Sequence, residues 1–394
     1  MRRDLALPLA FAMTAAAGTA QGQQERTMPS ETTQVRTETL ARGLEHPWAM
    51  DFLPDGRMLV TERPGRLRVV GKDGELSEPL AGVPKVFAEG QGGLLDVAVA
   101  PDFAQSRQVY LSYAEPGGNR TAGTAVARAR MTADATGLEN VEVIFRQTPK
   151  VDDSKHFGSR LAFTRDGRLF VTLGERFKFD PAQDLADHLG TVVRLNLDGS
   201  VPEDNPFAQR DGARPEIWSY GHRNIEAAAI HPRTGALWIA EMGPKGGDEL
   251  NRPEAGKNYG WPLVSHGEHY DGRNIPDPST RPDLAGVVHQ WTPVISPSGM
   301  VFYTGDLFDG WRGSTLIGGL SAKAIVRVAL EGDRFAGEER IPLNARVRDV
   351  LQGPDGAVYA ATDEANGRIL RLTPAARGAA REGAPGRTEG AAAD

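Results

Sequence analysis

The stretch RLAFTRDGRLFVTLGE, residues 160–175, places two apolar segments on either side of an Asp-Gly pair. An Asp-Gly pair between alternating apolar segments is a strong β-hairpin signal, because both residues tolerate the positive φ of a tight turn. Five related stretches follow the same order, and they begin at Ala49, Leu94, Ala227, Ser296 and Asp349. The chain therefore contains six copies of one strand–turn–strand unit.

Short strands in sequential repeats, with Gly-rich turns and little helical periodicity, are typical of radially arranged four-stranded blades. The sequence predicts an all-β fold over residues 35–374, a six-bladed β-propeller with four-stranded antiparallel blades. The repeats lie further apart than such blades require, so we expect additional loops at one end of the propeller. Loops on a rigid scaffold are where function is usually found, and this end is the expected site.

The two ends of the chain differ in composition from the repeats. Residues 1–20 combine a basic start, a short apolar run and small residues at the end, which predicts a signal peptide and export. Residues 21–34 are polar, and we expect them to be disordered. Residues 375–394 are low-complexity Ala, Gly, Arg and Glu, which predicts a disordered tail.

Charge and cysteine content exclude several classes of function. The formal net charge of −7 over 394 residues argues against nucleic acid or an anionic membrane as a partner. Beyond the signal peptide no transmembrane segment is predicted, so we expect no membrane insertion. The chain has no cysteine, which excludes disulfides, thiolate metal sites and covalently attached haem. Redox chemistry would therefore need a bound, non-thiol cofactor.

One histidine, His156, lies just before the central hairpin. If Asp166 and Gly167 form a regular two-residue turn, His156 lies opposite Phe177 and Glu175 lies one diagonal away on the same face. Glu175 would then accept a hydrogen bond from one ring nitrogen and raise the basicity of the other, as in a general base. A structural His–Glu pair would look the same in the sequence, so both interpretations stay open.

Five motifs in order resemble those of the soluble PQQ-dependent aldose sugar dehydrogenases, which are relatives of soluble quinoprotein glucose dehydrogenase. They are GQGGLLDVAVAPDF from residue 90, HFGSRLAF from 156, YGHRN from 220, GPKGGDELN…GKNYGWP from 243 and RVRDV from 346. The likeness covers roughly residues 36–373. It implies a six-bladed propeller in the periplasm that binds pyrroloquinoline quinone (PQQ) and oxidises the anomeric carbon of an aldose to the lactone.

The resemblance assigns catalytic roles to three residues. His156 takes the position of the family's base, and Glu175 that of the acid, usually an aspartate, that orients it. Arg223 would stabilise negative charge on the quinone oxygen during reduction, although a surface arginine at a turn is the alternative. Arg223 and Asn224 together match the pair that contacts the quinone carbonyls.

The remaining cofactor contacts are also implied by the resemblance. Arg346 and Arg348 match an Arg-x-Arg that meets the carboxylates of PQQ, and residues two apart on a strand point to one face. Gln91 matches a polar contact at the mouth and Trp291 an aromatic wall over the quinone. Lys323 could replace a lysine that some relatives carry at the position of Ser321. A second departure is Met242, where relatives commonly have a polar residue.

The segment from Gly243 onward indicates a hard cation. Residues 243–262 contain no histidine or cysteine, which argues against zinc, whereas acidic side chains and a Gly/Pro-rich backbone suit Ca²⁺. The resemblance implies that the carbonyls of Gly243 and Pro244 hold a calcium ion at the quinone. It places a structural calcium at Glu249 and the carbonyl of Tyr259, with Asp248 a ligand in some relatives. For this second site an acidic turn without metal is the alternative.

The predicted function is PQQ-dependent oxidation of an aldose sugar, with electrons passed to an external acceptor. A calcium-dependent propeller lactonase or other hydrolase is one alternative, in which the metal activates water. Arg346 and Arg348 argue against it, because a neutral lactone gives two clustered arginines little to bind. A non-catalytic binding propeller is the other alternative, since fold alone does not decide function.

Overall fold

Nearly all regular structure in the described chain is β-strand, arranged in six antiparallel sheets. The computed structural model describes residues 26–28, 30 and 33–375. The predicted signal peptide, most of the N-terminal segment 21–34 and the tail after Ala375 lie outside the described residues. Residues 26–28 form a short strand on strand 35–44, so the prediction of disorder is wrong for these three.

The strands of blades one to three follow each other along the chain. Blade one holds β3 Pro47–Phe52, β4 Met58–Glu62 and β5 Arg66–Val70. Blade two holds β6 Leu94–Val99, β7 Gln108–Pro116, β8 Ala122–Met131 and β9 Leu138–Arg146. Blade three holds β10 Gly158–Phe163, β11 Arg168–Leu173, β12 Thr191–Asn196 and β13 Ile217–Tyr220.

The second half of the propeller repeats this arrangement. Blade four holds β14 Ile225–Ile230, β15 Leu237–Glu241, β16 Asp248–Asn251 and β17 His289–Trp291. Blade five holds β18 Pro297–Phe302, β19 Thr315–Gly319, β20 Ala324–Glu331 and β21 Arg334–Pro342. Blade six holds β22 Val347–Gln352, β23 Val358–Thr362 and β24 Gly367–Pro374, completed by β2 Val35–Leu44 and β1 Arg26–Met28.

Helical segments in the described ranges are short. They are α1 Phe103–Ser106 and the 3₁₀ turns Gly118–Arg120, Asp180–Gln183 and Pro278–Thr280. None of the helices in these ranges is long and apolar enough to cross a bilayer. The first strands of the six blades contact one another in a closed ring around a central channel, which confirms the six-bladed propeller.

Two blades depart from a plain four-stranded meander. In blade one the fourth position is taken by irregular chain, whose Ser77 and Leu80 amides donate to Val69 and Leu67 of β5. Blade six is closed by β2, which pairs with β24 and so joins the start of the propeller to its end. This closure covers the outer side of β24, which would otherwise be an unpaired edge.

Apolar side chains fill the spaces between neighbouring blades. Six buried clusters each combine residues of two adjacent blades, one cluster for each of the six interfaces. A smaller seventh cluster of Ala182, Trp261 and Ile275 lies among the loops. The strands are therefore held as a rigid ring, and the loops at one end have a packed support of their own.

The hairpin turn of blade three has a three-residue loop rather than the expected two-residue turn, as do those of blades one and six. Thr164 N–H donates to the Arg168 carbonyl at 2.9 Å, and Gly167 takes φ +75°, which is the usual form of a three-residue loop ending in a left-handed residue. Phe163 then pairs with Leu169. The predicted register was therefore wrong by one residue.

A bulge interrupts the first strand pair of every blade. In all six, the register shifts near the start of the innermost strand, as between Gly158 and Leu161 in blade three. Bulges bend a strand and re-aim its side chains. The six shifts lie at the same end of the channel, and the loops that lead into these strands form its mouth.

Candidate active site

A cavity of about 780 Å³ opens at this mouth. Its walls include Gln91, His156 and Arg223, together with the segments 242–248, 265–277 and 292–296. The first three come from loops that precede β6, β10 and β14 respectively. Three predicted site residues of blades two, three and four thus converge on one space, together with Gly243, Pro244 and Asp248 of blade four.

The strongest feature of the cavity is a hydrogen-bonded histidine. His156 Nδ1 lies 2.5 Å from Glu175 Oε1, and Glu175 Oε2 accepts the Phe179 N–H at 2.9 Å. The His156 amide donates to Gln91 Oε1 at 2.7 Å. Both members of the pair lie just beyond the paired strands β10 and β11, so the predicted contact forms although the predicted register does not.

The electrostatics of His156 favour a neutral ring. Burial lowers its pKa below the ordinary value, and the Glu175 carboxylate opposes this only in part. The ring nitrogen Nδ1 is held by Glu175, while His156 Nε2 makes no hydrogen bond within the described residues. Since His156 lines the cavity, its Nε2 is suited to accept a proton from a bound molecule.

A second His–Glu pair with the same spacing lies in blade four. His222 Nδ1 is 2.8 Å from Glu241 Oε1, and both pairs are separated by 19 residues in the chain. Here, however, His222 Nε2 meets Ser219 Oγ at 2.9 Å, and His222 and Ser219 are fully buried. This Ser–His–Glu array resembles a hydrolase triad, but its serine does not line the cavity and cannot meet a substrate there.

The Arg223 side chain contacts the segment from Met242 onward, part of which the sequence predicts to bind calcium. Its Nη1 donates to the carbonyls of Gly243 at 2.6 Å and Met242 at 2.9 Å. The guanidinium lies 5.2 Å from the ring centroid of Trp261 and 5.7 Å from that of Tyr270. Its Nε is buried and makes no hydrogen bond in the part of the chain that the structure describes. Arg223 therefore keeps one donor for a ligand.

Asn224 is held by the scaffold on both sides. Its Oδ1 accepts the Gly158 N–H at 3.1 Å, and its Nδ2 donates to Glu226 Oε1 at 3.0 Å. The Met242 sulfur, a weak acceptor, lies 3.7 Å from the same Nδ2. Asn224 thus links the His156 loop to blade four, and the predicted contact with a quinone stays a prediction.

Asp248 ties the segment after β15 to blade five. Its carboxylate accepts the N–H groups of Gly243 at 2.9 Å, Ile295 at 2.8 Å and Ser296 at 2.7 Å. Burial raises its pKa to about 6, although the three amides act in the opposite direction. In this structure Asp248 shapes the loop, and its predicted role as a metal ligand stays a prediction.

The residues predicted to hold a structural calcium enclose a very small cavity. Its volume is about 20 Å³, close to that of one water or ion, and its walls include Gly243, Pro244, Gly247, Glu249 and Tyr259. In the described ranges no three acidic or histidine side chains gather into a metal site. Carbonyl oxygens would have to supply most ligands, which Ca²⁺ accepts.

Burial and a neighbouring carboxylate set the charge state of Glu249. Loss of contact with water and the charge of the neighbouring Glu241 raise the Glu249 pKa well above its usual range. Glu241 itself has a lowered pKa, because His222 and the Arg223 N–H outweigh its burial. A cation in the small cavity would stabilise the ionised form of Glu249.

The two predicted carboxylate-binding arginines have partners within the chain. Arg348 is buried and binds Glu226 and, at 2.8 Å, Asp363, and Arg346 reaches the same Asp363 oxygen at 3.3 Å. Burial would raise the pKa of Asp363, but Arg348 and Arg346 hold it far below its usual range. Both guanidiniums do converge on one anion, but that anion is Asp363, and neither arginine lines the cavity.

Two further residues that were predicted to contact the cofactor, Trp291 and Lys323, do not line the cavity. Trp291 is buried in the core of blades four and five, where its Nε1 donates to Glu338 at 2.5 Å, so the aromatic wall was wrongly placed. Lys323 is exposed and does not line the cavity. Ser321 is closer, because it accepts a hydrogen bond at 2.9 Å from Ser296, a wall residue.

Residues that sequence reasoning missed supply the aromatic part of the site. Trp261 and Tyr270 lie against Arg223, and Tyr270 is 65% exposed at the rim. Both belong to the long insertion between β16 and β17, which has no counterpart in the repeat. Glu226 and Asp363 were also missed. Asp363 had a signal in the sequence, since an acid also lies at the end of the second strand in blades one and four and just after it in blade three.

A comparison with known protein families assigns this six-bladed propeller to a family. The family model described as Glucose / Sorbosone dehydrogenase matches residues 44–371. The chain therefore belongs to the glucose/sorbosone dehydrogenase family, as the resemblance indicated.

Several characterised proteins are similar over most of their length. Aldose sugar dehydrogenase YliI of Escherichia coli is 46% identical over 346 residues, covering 86% of this chain and 93% of that protein. Quinoprotein glucose dehydrogenase B of Acinetobacter calcoaceticus is 27% identical over 426 residues, covering 86% and 88%. The relatives support an oxidoreductase that acts on sugars.

Solved structures agree with this assignment. The apo-form of the soluble aldose sugar dehydrogenase of E. coli has a TM-score of 0.83 at 45% identity, covering 86% of this chain and all of that one. The PQQ-bound form of aldose sugar dehydrogenase from Streptomyces coelicolor has a TM-score of 0.71 at 28% identity, covering 88% and 99%.

Proposed function

We propose that this protein is a PQQ-dependent aldose sugar dehydrogenase that oxidises C1 of the sugar to a lactone and passes electrons to an external acceptor. The observation that carries the proposal is the 2.5 Å His156–Glu175 pair on the wall of the cavity. The relatives support the reaction class, and one of the similar structures holds PQQ.

His156 is the proposed base. With Nδ1 held by Glu175, the neutral ring presents Nε2 to the anomeric hydroxyl and takes its proton. Gln91 accepts the backbone N–H of His156, and Glu175 binds Nδ1 of its ring, so both the main chain and the imidazole are held. The lowered pKa of His156 keeps the ring neutral, and so able to accept a proton, at neutral pH.

The clearest proposed partner for PQQ in the cavity is Arg223, at the quinone end. Bound PQQ would accept the hydride from C1. Arg223 has its unpartnered Nε for a quinone oxygen, and a guanidinium there stabilises negative charge. Arg348 also has a buried Nε without a partner among the described residues, but it does not line the cavity and is paired with Asp363 and Glu226. Its contact with a PQQ carboxylate is therefore proposed from the resemblance alone.

Calcium is the proposed metal, since the donors are carbonyls and carboxylates. Gly243 and Pro244 lie on the walls of both the large and the small cavity, and their carbonyls are the proposed ligands of the ion beside the quinone. Glu249 and the Tyr259 carbonyl would hold a structural ion. Export to the periplasm is proposed from the N-terminal sequence alone.

Reconstitution tests the function directly. The purified apo-protein would be mixed with PQQ and Ca²⁺, and dye reduction would be followed with a panel of aldoses. The proposal expects turnover that needs both additions and is lost on chelation. Turnover of a lactone with release of acid, without PQQ, would instead support the hydrolase and overturn the proposal.

A further inference from the structure

Arg176 is a buried arginine that binds only main-chain oxygens. Its side chain is fully buried, and its guanidinium donates to the carbonyls of Ala122 at 2.6 Å, Lys155 at 2.8 Å and Asp153. The guanidinium also stacks on the Phe157 ring, 3.6 Å from its centroid. Among the described residues, no carboxylate lies within ion-pair distance of it.

The three acceptors join the parts of the chain that carry the His–Glu pair. Lys155 and Asp153 belong to the loop that ends in His156, and Ala122 begins β8 of blade two. Arg176 itself directly follows Glu175. One side chain therefore connects the loop of the base, the turn of its acid partner and the neighbouring blade.

The backbone around the pair needs such an external support. His156, Arg176 and Phe177 have φ values of 52°, 57° and 57°, in the left-handed region that non-glycine residues rarely occupy. Such conformations persist only where surrounding contacts enforce them. The Gln91 contact supports His156 from one side, and the Arg176 contacts support it from the other.

The removal of a guanidinium from water is costly unless its donors are satisfied. Burial lowers the pKa of Arg176 to about 10, so the group stays charged at neutral pH. A methyl or methylene group could fill the same space without this cost. An apolar side chain could not donate to the three carbonyls, which belong to the loop before His156 and to β8.

We propose that Arg176 is a positioning residue that holds His156 and Glu175 at hydrogen-bonding distance. It touches neither cavity nor substrate, since it is absent from the cavity wall. Its effect on turnover rests on the proposed function, whereas its effect on the His156–Glu175 hydrogen bond does not.

The test compares three variants of the full chain. Arg176→Met removes the donors, and Arg176→Lys keeps the charge and restores part of the contacts. Arg327→Met is the matched control, because Arg327 is another buried arginine, in blade five, that binds Glu339, Ser314 and the Gly310 carbonyl. Loss of the Arg327 side chain should lower the stability of the folded protein and leave the cavity unchanged.

The first readout is the Nδ1 proton of His156 in the apo-protein, observed by NMR with labelled histidine and assigned through His156→Gln. A strong Nδ1–H···Oε1 bond gives a far-downfield, slowly exchanging proton. The second readout is the change in kcat and, separately, in KM for an aldose after reconstitution with PQQ and Ca²⁺. We expect Arg176→Met to lose the signal and about 10²-fold in kcat with little change in KM, as for a misplaced catalytic group.

Arg176→Lys should retain part of the proton signal and part of kcat, and Arg327→Met should retain both in full. A folded Arg176→Met that keeps the proton signal and kcat would overturn the inference. If Arg176→Met does not fold, an Arg176→Lys variant indistinguishable from the parent chain would overturn it. A parent chain without aldose turnover defeats the proposed function alone, because the proton signal still decides the role of Arg176.

Discussion

At the scale of the residue, two His–Glu pairs with one spacing have different surroundings. His156–Glu175 has a ring nitrogen at the cavity, whereas His222–Glu241 has both nitrogens satisfied and is sealed by Ser219 and Tyr259. Access to the cavity, rather than residue type, separates a base from a structural pair. The sequence alone allowed His156 to be either a general base or part of a structural pair, because it does not show which ring nitrogen reaches a cavity.

The pH dependence of turnover tests the state of His156. Because burial lowers its pKa, kcat/KM should fall only below pH 6.5 as the ring gains a proton. Glu175→Gln removes a carboxylate that raises this pKa, so the fall should move to still lower pH, with a plateau about tenfold lower because the base is weaker.

The exposed Glu75→Gln substitution in blade one is the control and should leave the profile unchanged. A shift of the Glu175→Gln profile to higher pH would contradict the assigned hydrogen bond, since it would require the glutamate to favour the neutral ring.

At the scale of the element, the mouth of the channel is built by bulges and by loops that the blades do not share. Asp248 is the clearest example, since one carboxylate ties the segment after β15 to the start of β18 through three amides. Its location in an acidic, Gly-rich segment predicted a metal ligand. Its carboxylate instead accepts hydrogen bonds from the amides of Ile295 and Ser296, which lead into blade five. These contacts depend on the packing of blade five and could not be predicted from the sequence.

Asp248→Ala should destabilise the protein by about 3 kcal/mol, because it leaves buried amides unpaired. Urea denaturation of the apo-protein measures this cost. The exposed Asp271→Ala substitution should stay within about 0.5 kcal/mol of the parent chain. Equal stability of the two variants would show that the Asp248 carboxylate does not stabilise the segment after β15.

At the scale of the whole molecule, the blade number and strand order followed from the repeat, because each strand–turn–strand unit supplies the two inner strands of a blade. The register did not follow, since three-residue loops and six bulges shift it. Of the site, the His156–Glu175 contact and the cavity walls at Arg223 and Gly243 were predictable. The Arg348–Glu226–Asp363 network and the burial of Trp291 were not, because they depend on packing between distant blades.

Closure of the ring by β2 is a property of the whole chain. A variant that begins at residue 33 keeps β2 and should unfold cooperatively near the temperature of the parent chain. A variant that begins at residue 46 exposes β24 and removes Val35, Ala41 and Leu44 from the core, so it should show no cooperative transition by calorimetry. A cooperative transition at the parent temperature in the shorter variant would contradict the role of closure.

The central claim is tested most directly by anaerobic mixing of the PQQ- and Ca²⁺-loaded protein with glucose, with reduction of bound PQQ followed by absorbance. The parent chain should reduce it rapidly, and His156→Gln should bind PQQ equally well but reduce it roughly 10³-fold more slowly. His289→Gln, in the outer strand of blade four, should match the parent chain. Equal rates in His156→Gln and the parent chain would contradict the account.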